Sequence, residues 1–209
     1  MTVKLLTVDS VIQRMSLGDH EDILNAVGSA LDGVTEFLSA RLATKFDPLE
    51  DQVEVFLPNV KKYWDTTPQG LLRLRLGNAF VNPGTVELKF GTSLGAVRGH
   101  LGDVIPTDEY DVDYENGYIF LDLAYDLKYV SVKYNSGILI PAGTPDDETD
   151  VPSWLQEVVL AYVPVVLNQN QTTNRSAEVE PVVKVLGAHS LAILDSHIRN
   201  LPFAHTKII

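Results

Sequence analysis

The chain has no cysteine, which excludes disulfides, thiolate metal sites and a cysteine nucleophile and fits a reducing compartment. Positive charge is also scarce: 16 lysines and arginines stand against 28 aspartates and glutamates, a net charge of −12. Nucleic-acid and anionic-membrane binding both need clustered cations to displace counterions, so a general binder of either kind is excluded. No window approaches the roughly 18 consecutive apolar residues of a membrane span. The opening MTVKLLTVDSV lacks the apolar core and cleavage site of a signal peptide. The expectation is a soluble protein made in the cytoplasm, without membrane contact.

Catalytic signatures are missing too. GTSLGAVRG has glycines after a strand, but neither the spacing nor the Lys-Ser/Thr of a phosphate loop. The five histidines, His20, His100, His189, His197 and His205, form no HExxH, and His189, Asp195 and His197 do not share one helix face. No serine lies in a GxSxG elbow, and Ser190 beside His189 on a helix has no nucleophile geometry. Asp111 and Asp113 project to one face of a strand, as glycosidase carboxylates or cation ligands would, but a solvated face beside a turn accounts for them more simply. Asp146, Asp147, Glu148 and Asp150 lack the ligand pattern and central glycine of an EF-hand loop. The reading is therefore non-enzymatic, with no cofactor and no metal.

What is present is core material: 209 residues, 45% of them hydrophobic, enough for a domain with a substantial interior. Asp9 and Ser10 stand as caps for a short helix that Gly18 stops, and Asp19 for a longer one that Asp47-Pro48 ends. In the longer helix Ile23, Val27, Ala30, Leu31, Val34, Leu38 and Leu42 recur at three and four. Gly28 and Gly33 on it point to a close backbone neighbour. From Gln52 to Phe90 the period changes to two, giving strands that bury Val53, Val55 and Leu57, then Leu72, Leu74 and Leu76, then Val86, Leu88 and Phe90. Asn82-Pro83-Gly84 is the turn joining the last two, and Tyr63 and Trp64 cover one end of the sheet. Residues 91–106, with four glycines and no period, read as a mobile loop. Asn116-Gly117 predicts a two-residue type I′ hairpin turn, followed by a third strand that Gly137 closes. After the acidic linker PAGTPDDETD, a helix starting at Pro152 carries Trp154, Leu155, Val158, Val159, Tyr162, Val165 and Val166, with a kink at Pro164. A polar break, NQNQTTNRS, precedes a last helix over 177–198. The tail RNLPFAHTKII has no acid and two apolar clusters.

The expected fold is α+β: a helical bundle of N-terminal helices and two C-terminal helices (residues 1–50 and 150–198), an inserted antiparallel β-sheet region (51–140), and an extended C-terminal tail (199–209). Arg73 and Arg75, two cations on one strand face of an acidic chain, are candidates for a subunit interface.

Tyr134-Asn135-Ser136-Gly137 at the end of the strands, then Val151-Pro152-x-x-Leu155 opening a helix that runs to Asn168–Asn170, resembles the pattern of the head-to-tail connector, or adaptor, proteins of tailed bacteriophages. The resemblance covers the N-terminal helices and residues 110–170 best; residues 59–107 are longer than a minimal member needs. It implies a structural protein of the virion neck, a ring usually of twelve copies. Such a ring seats beneath the portal, meets tail proteins on its other side, and continues a channel through which DNA passes without sequence-specific binding. It also implies that the C-terminal segment, here Arg199, Leu201, Phe203, Ile208 and Ile209, docks on the portal. Two other readings compete: a carbohydrate- or protein-binding β module using Tyr63, Trp64, Tyr118 and Tyr125 as an aromatic platform, and a hydrolase using the paired carboxylates.

Overall fold

The computed structural model describes residues 5–58, 64–138, 151–172 and 192–195. Its elements in chain order are helices α1 (Val8–Met15) and α2 (Glu21–Arg41), strands β1 (Leu49–Phe56), β2 (Trp64–Thr66), β3 (Leu72–Arg75) and β4 (Glu87–Gly91), and the single helical turn α3 (Leu94–Val97). Strands β5 (Asp103–Val104), β6 (Tyr110–Asp113), β7 (Tyr118–Leu121) and β8 (Tyr129–Ser136) follow, and then helix α4 (Ser153–Thr172). This is an α+β protein. Its described residues fall into two compact units, one drawn from the segments up to Leu42 and from Ile138 onward, the other from Ala43–Gly137.

In the helical unit, α1 is capped by Thr7, whose hydroxyl accepts from the Ser10 amide at 3.1 Å, and ends at Ser16 in the left-handed region. Both ends therefore differ from the expected Asp9/Ser10 cap and Gly18 stop. His20, not Asp19, holds the cap position of α2 and makes no side-chain cap bond, so Glu21 and Asp22 in the first turn supply the favourable charge. The expected stripe is buried, with Val27, Ala30, Leu31, Val34 and Leu38 facing inward, and α2 packs on α1 and α4. Phe37 meets Tyr162 with ring centroids 5.2 Å apart. A Cβ at Gly33 would find only the Val166 side chain, at 4.0 Å, so no backbone approach explains that glycine. Leu155, Val158, Val159 and Val163 form the inner face of α4. This helix runs past Pro164 and into the first five residues of the expected polar break, to Thr172; residues 173–176 of that break lie outside the described residues. Of the expected last helix only residues 192–195 are described, and they are helical; the rest of it, residues 139–150 and the whole tail lie outside the described residues. Among the described residues no helix is long and apolar enough to cross a membrane.

The other unit holds two four-stranded antiparallel sheets, ordered β1-β8-β4-β5 and β2-β3-β7-β6. Phe56, Leu88, Val130, Val132 and Tyr134 from the first share one core with Leu72, Leu74, Ile119 and Leu121 from the second. The chain alternates between them: the Asn82–Thr85 turn forms as expected, but it passes the chain from one sheet to the other, and β8 leaves the β6-β7 hairpin to lie between β1 and β4.

Three local expectations are corrected. In β1 the inward residues are Glu54 and Phe56, while Val53 is 39% exposed. Asp51, at φ 50, lies in the bulge where the pairing shifts from Leu49↔Ser136 to Gln52↔Tyr134. A carboxylate is tolerated on the inner face because Gly77 N–H donates to both its oxygens, at 2.9 and 3.0 Å, and the buried Tyr134 hydroxyl donates to it as well. Second, the β6-β7 hairpin has a four-residue connection, since Asp113 pairs with Tyr118. Asp113 takes over the turn by accepting from Asn116 N and Nδ2 at 3.1 and 2.8 Å, and only Gly117 adopts positive φ. Third, residues 91–106 are structured. Ser93 caps α3 by accepting from Ala96 N, and a Cβ at Gly102 would lie 2.4 Å from the Phe90 carbonyl oxygen. That contact lets β5 approach β4.

Candidate functional site

The strongest clustering of chemistry lies on the face of the β2-β3-β7-β6 sheet turned away from the core. Strand register creates it. Asp65, Arg73, Phe120 and Asp111 form one cross-strand row, and Arg75, Tyr118 and Asp113 the next, because alternate residues of each strand, Leu72, Leu74, Ile119 and Leu121, point into the core. Both guanidinium groups sit against the Tyr118 ring, Arg73 at 5.0 Å and Arg75 at 5.7 Å from its centroid. Arg73 also pairs with Asp65 across the β2-β3 ladder. The two predicted interface arginines are thus brought together around one tyrosine.

Beside them, at the β6 side of the same sheet, is an open groove of about 420 Å³ lined by Leu71, Asp108, Glu109, Tyr110, Asp111, Phe120, Leu121, Asp122, Ala124 and Tyr125. Four carboxylates and no lysine or arginine line it. Tyr125 donates to Glu109, and that hydrogen bond, ahead of burial, pushes its phenol up to about 12. Asp122 accepts from the Ala124 amide at 2.8 Å. Sequence reasoning missed this groove, although the acid density of TDEYDVDYE was its visible signal. The groove's acids fall on two segments, 108–111 and 122, that only the β6-β7 pairing brings together.

The other expected site residues fare differently. Asp111 is exposed as expected of a solvated face, and Asp113 is engaged in its own turn. Tyr118 is 5% exposed and Tyr125 is held by Glu109, so neither offers a free platform for stacking a sugar. Tyr63 and the Trp64 side chain lie outside the described residues, as do His189, Ser190, His197, the acidic run 146–150, Arg199, Leu201, Phe203, Ile208 and Ile209. Among the described residues no group of three or more histidines and acids could hold a metal ion.

One serine-histidine-carboxylate constellation does exist. His100 Nδ1 lies 2.8 Å from Ser131 Oγ, and its Nε2 lies 3.6 Å from Glu87. Ser131 is fully buried, so no substrate reaches its hydroxyl, and the cluster ties the 91–106 segment to β4 and β8. Burial drives the His100 pKa below its ordinary value, with Lys89 and Lys133 pushing the same way and Glu87 opposing. The fold therefore favours the neutral ring. Its contribution is intact above the unfolded value of about 6.5 and is lost as pH falls below it. Melting curves should lose more Tm between pH 7 and 5 in the native protein than in His100→Asn, where the residue tolerates the φ of 62. Equal losses would remove His100 as the cause.

No protein-family model matches the chain, and no curated protein matches it.

Proposed function

We propose that this chain is a structural virion protein, an adaptor whose ring joins the portal of a DNA-filled head to the tail and continues the DNA channel. The observation that carries the reading is the order of elements around its two motif-like segments. Two helices precede a strand unit that ends at Tyr134-Asn135-Ser136-Gly137, and a helix follows at Val151-Pro152-x-x-Leu155. Both segments sit where sequence freedom is least. Tyr134 is fully buried, and Gly137, at φ 106, lies against the Asp47-Pro48 backbone. Pro152 O accepts from the Leu155 and Gln156 amides at 2.9 and 3.1 Å, and Val151 and Leu155 are buried. These residues hold the fold, so partner contacts lie elsewhere.

In this reading the helices form the bundle that stacks side by side in a ring of twelve, and the enlarged segment 59–107 supplies β2 and β3 to one sheet, β4 and β5 to the other, and the structured loop. The excess of carboxylates keeps passing DNA from adhering. The segment 199–209, rich in apolar residues and without acids, docks on the portal. Deletion of residues 199–209 should abolish co-sedimentation with portal rings while leaving the circular dichroism spectrum and melting temperature unchanged. Undiminished portal binding by the truncated chain would overturn the docking role, and failure of the full chain to bind portal would overturn the adaptor reading.

A further inference from the structure

We propose that the acidic groove at the β6 side of the β2-β3-β7-β6 sheet receives Arg73 and Arg75 of a second copy of this chain, so that the copies join head to tail through opposite edges of one sheet. The inference rests on the ring reading and supplies the missing half of its interface.

The strand order β2-β3-β7-β6 sets the two signs of charge apart. The arginines stand on β3, next to the β2 edge, and the groove acids lie along β6 and the end of β7. Two strand spacings separate β3 from β6, about 10 Å, and the Tyr118 ring lies between. Within one copy the guanidinium groups turn to that ring and Arg73 to Asp65. Asp108 and Asp111 are both exposed, and among the described residues neither carboxylate has a hydrogen-bond or ion-pair partner. The sheet thus offers cations near one edge and unneutralised anions at the other. A contact that seats one copy's arginines in the other's groove leaves the first copy its groove and the second its arginines, which is the pattern of a heterologous interface.

Groove chemistry favours guanidinium in particular. Phe120, in the outward row with Asp111, supplies a flat apolar wall on which a guanidinium stacks, and carboxylates on the rim accept its paired N–H groups. Arg73 keeps donors for such a partner, because its bond to Asp65 engages only Nη2. Tyr118 and Asp65 hold the cations in place beforehand, which lowers the entropy lost on docking.

Charge exchange between two variants of the full chain tests this. Arg73→Glu/Arg75→Glu and Asp108→Lys/Asp111→Lys are each compared with the native chain by sedimentation velocity at high protein concentration and low salt, and by electron microscopy of rings on portal. Each variant alone should associate at least tenfold more weakly, and an equimolar mixture should restore association, since every contact in an alternating assembly then joins opposite charges. Far-UV circular dichroism of each variant, and the mixture itself, separate misfolding from a lost contact. Native-like association of either variant, or a mixture no better than its parts, overturns the proposed interface while leaving the ring in place. A native chain that forms no assembly alone or on portal overturns the ring reading and this interface with it.

Discussion

Gly137→Ala is expected to take away a large share of the stability of the two-sheet unit. The residue follows β8 with φ 106, outside the conformations an alanine adopts cheaply, and its Cβ would stand 2.4 Å from Asp47 O, 2.8 Å from Asp47 C and 2.9 Å from Pro48 Cα. All three are backbone atoms, so no side chain can rotate away. The Asp47-Pro48 segment cannot retreat either without dragging the start of β1 off β8, where Leu49 pairs with Ser136. Dihedral strain alone costs about 1–3 kcal/mol, and the overlap brings the total to roughly 4 kcal/mol or more, a large share of a domain's stability. Gly84→Ala is the control. Its φ of 76 is also positive but nothing lies within 4 Å of the added Cβ, so about 1 kcal/mol should be lost. Thermal and urea melts compare them directly. If Gly137→Ala melts within a few degrees of Gly84→Ala, the close approach to Asp47 is not what requires the glycine.

The second large effect concerns Glu54. Glu54→Ala leaves the Gly77 N–H and the fully buried Tyr134 hydroxyl without their carboxylate, and each unsatisfied buried group costs about 1–3 kcal/mol. A loss of about 3 kcal/mol is expected, a fall in Tm on the order of 10 °C. Tyr134→Phe should cost less, because the carboxylate keeps the Gly77 amide, and the double variant should fall well short of the sum of the two single losses, since the residues act through one bond. Additive losses would mean that Glu54 and Tyr134 contribute separately. Burial together with the adjoining carboxylate raises the Tyr134 pKa, so the Tyr134 hydroxyl keeps its proton across the neutral range.

These two sites also mark where the sequence could and could not be read. The stripe of α2 was legible because one 3.6-residue period decides which residues are inward, and the burial of Val27, Leu31, Val34 and Leu38 follows it. In β1 a run of apolar residues on both faces leaves the phase undecided. What decides it is a carboxylate whose donors lie 23 and 80 residues away, and no local window contains them. The Asn116-Gly117 pair announced a hairpin correctly and its geometry incorrectly, since the Asp113 carboxylate competes for the turn's amides. Residues 91–106 looked formless because their order comes from the Ser93 cap, the His100–Ser131 contact and the close approach of Gly102 to the Phe90 backbone, none of which leaves a periodic signal. The division into two sheets was invisible for a related reason: a turn such as Asn82–Thr85 has the same sequence chemistry whether it reverses a strand within a sheet or sends it to another. The arginine pair was legible as a paired feature of one strand face; the groove beside it depends on the meeting of two loops.

The distance between Glu54 and Tyr134 along the chain has a consequence for how the protein is born. On the ribosome β1 emerges early, with its pairing partner β8 still unmade, and at elongation rates of about 5–20 residues per second it waits several seconds for that partner. During that interval an edge carrying Val53, Val55 and Phe56 is open to any other nascent strand in the cell. The four charges that punctuate it, Glu50, Asp51, Glu54 and the nearby Asp47, are all negative, so two such unfinished chains repel each other until β8 arrives.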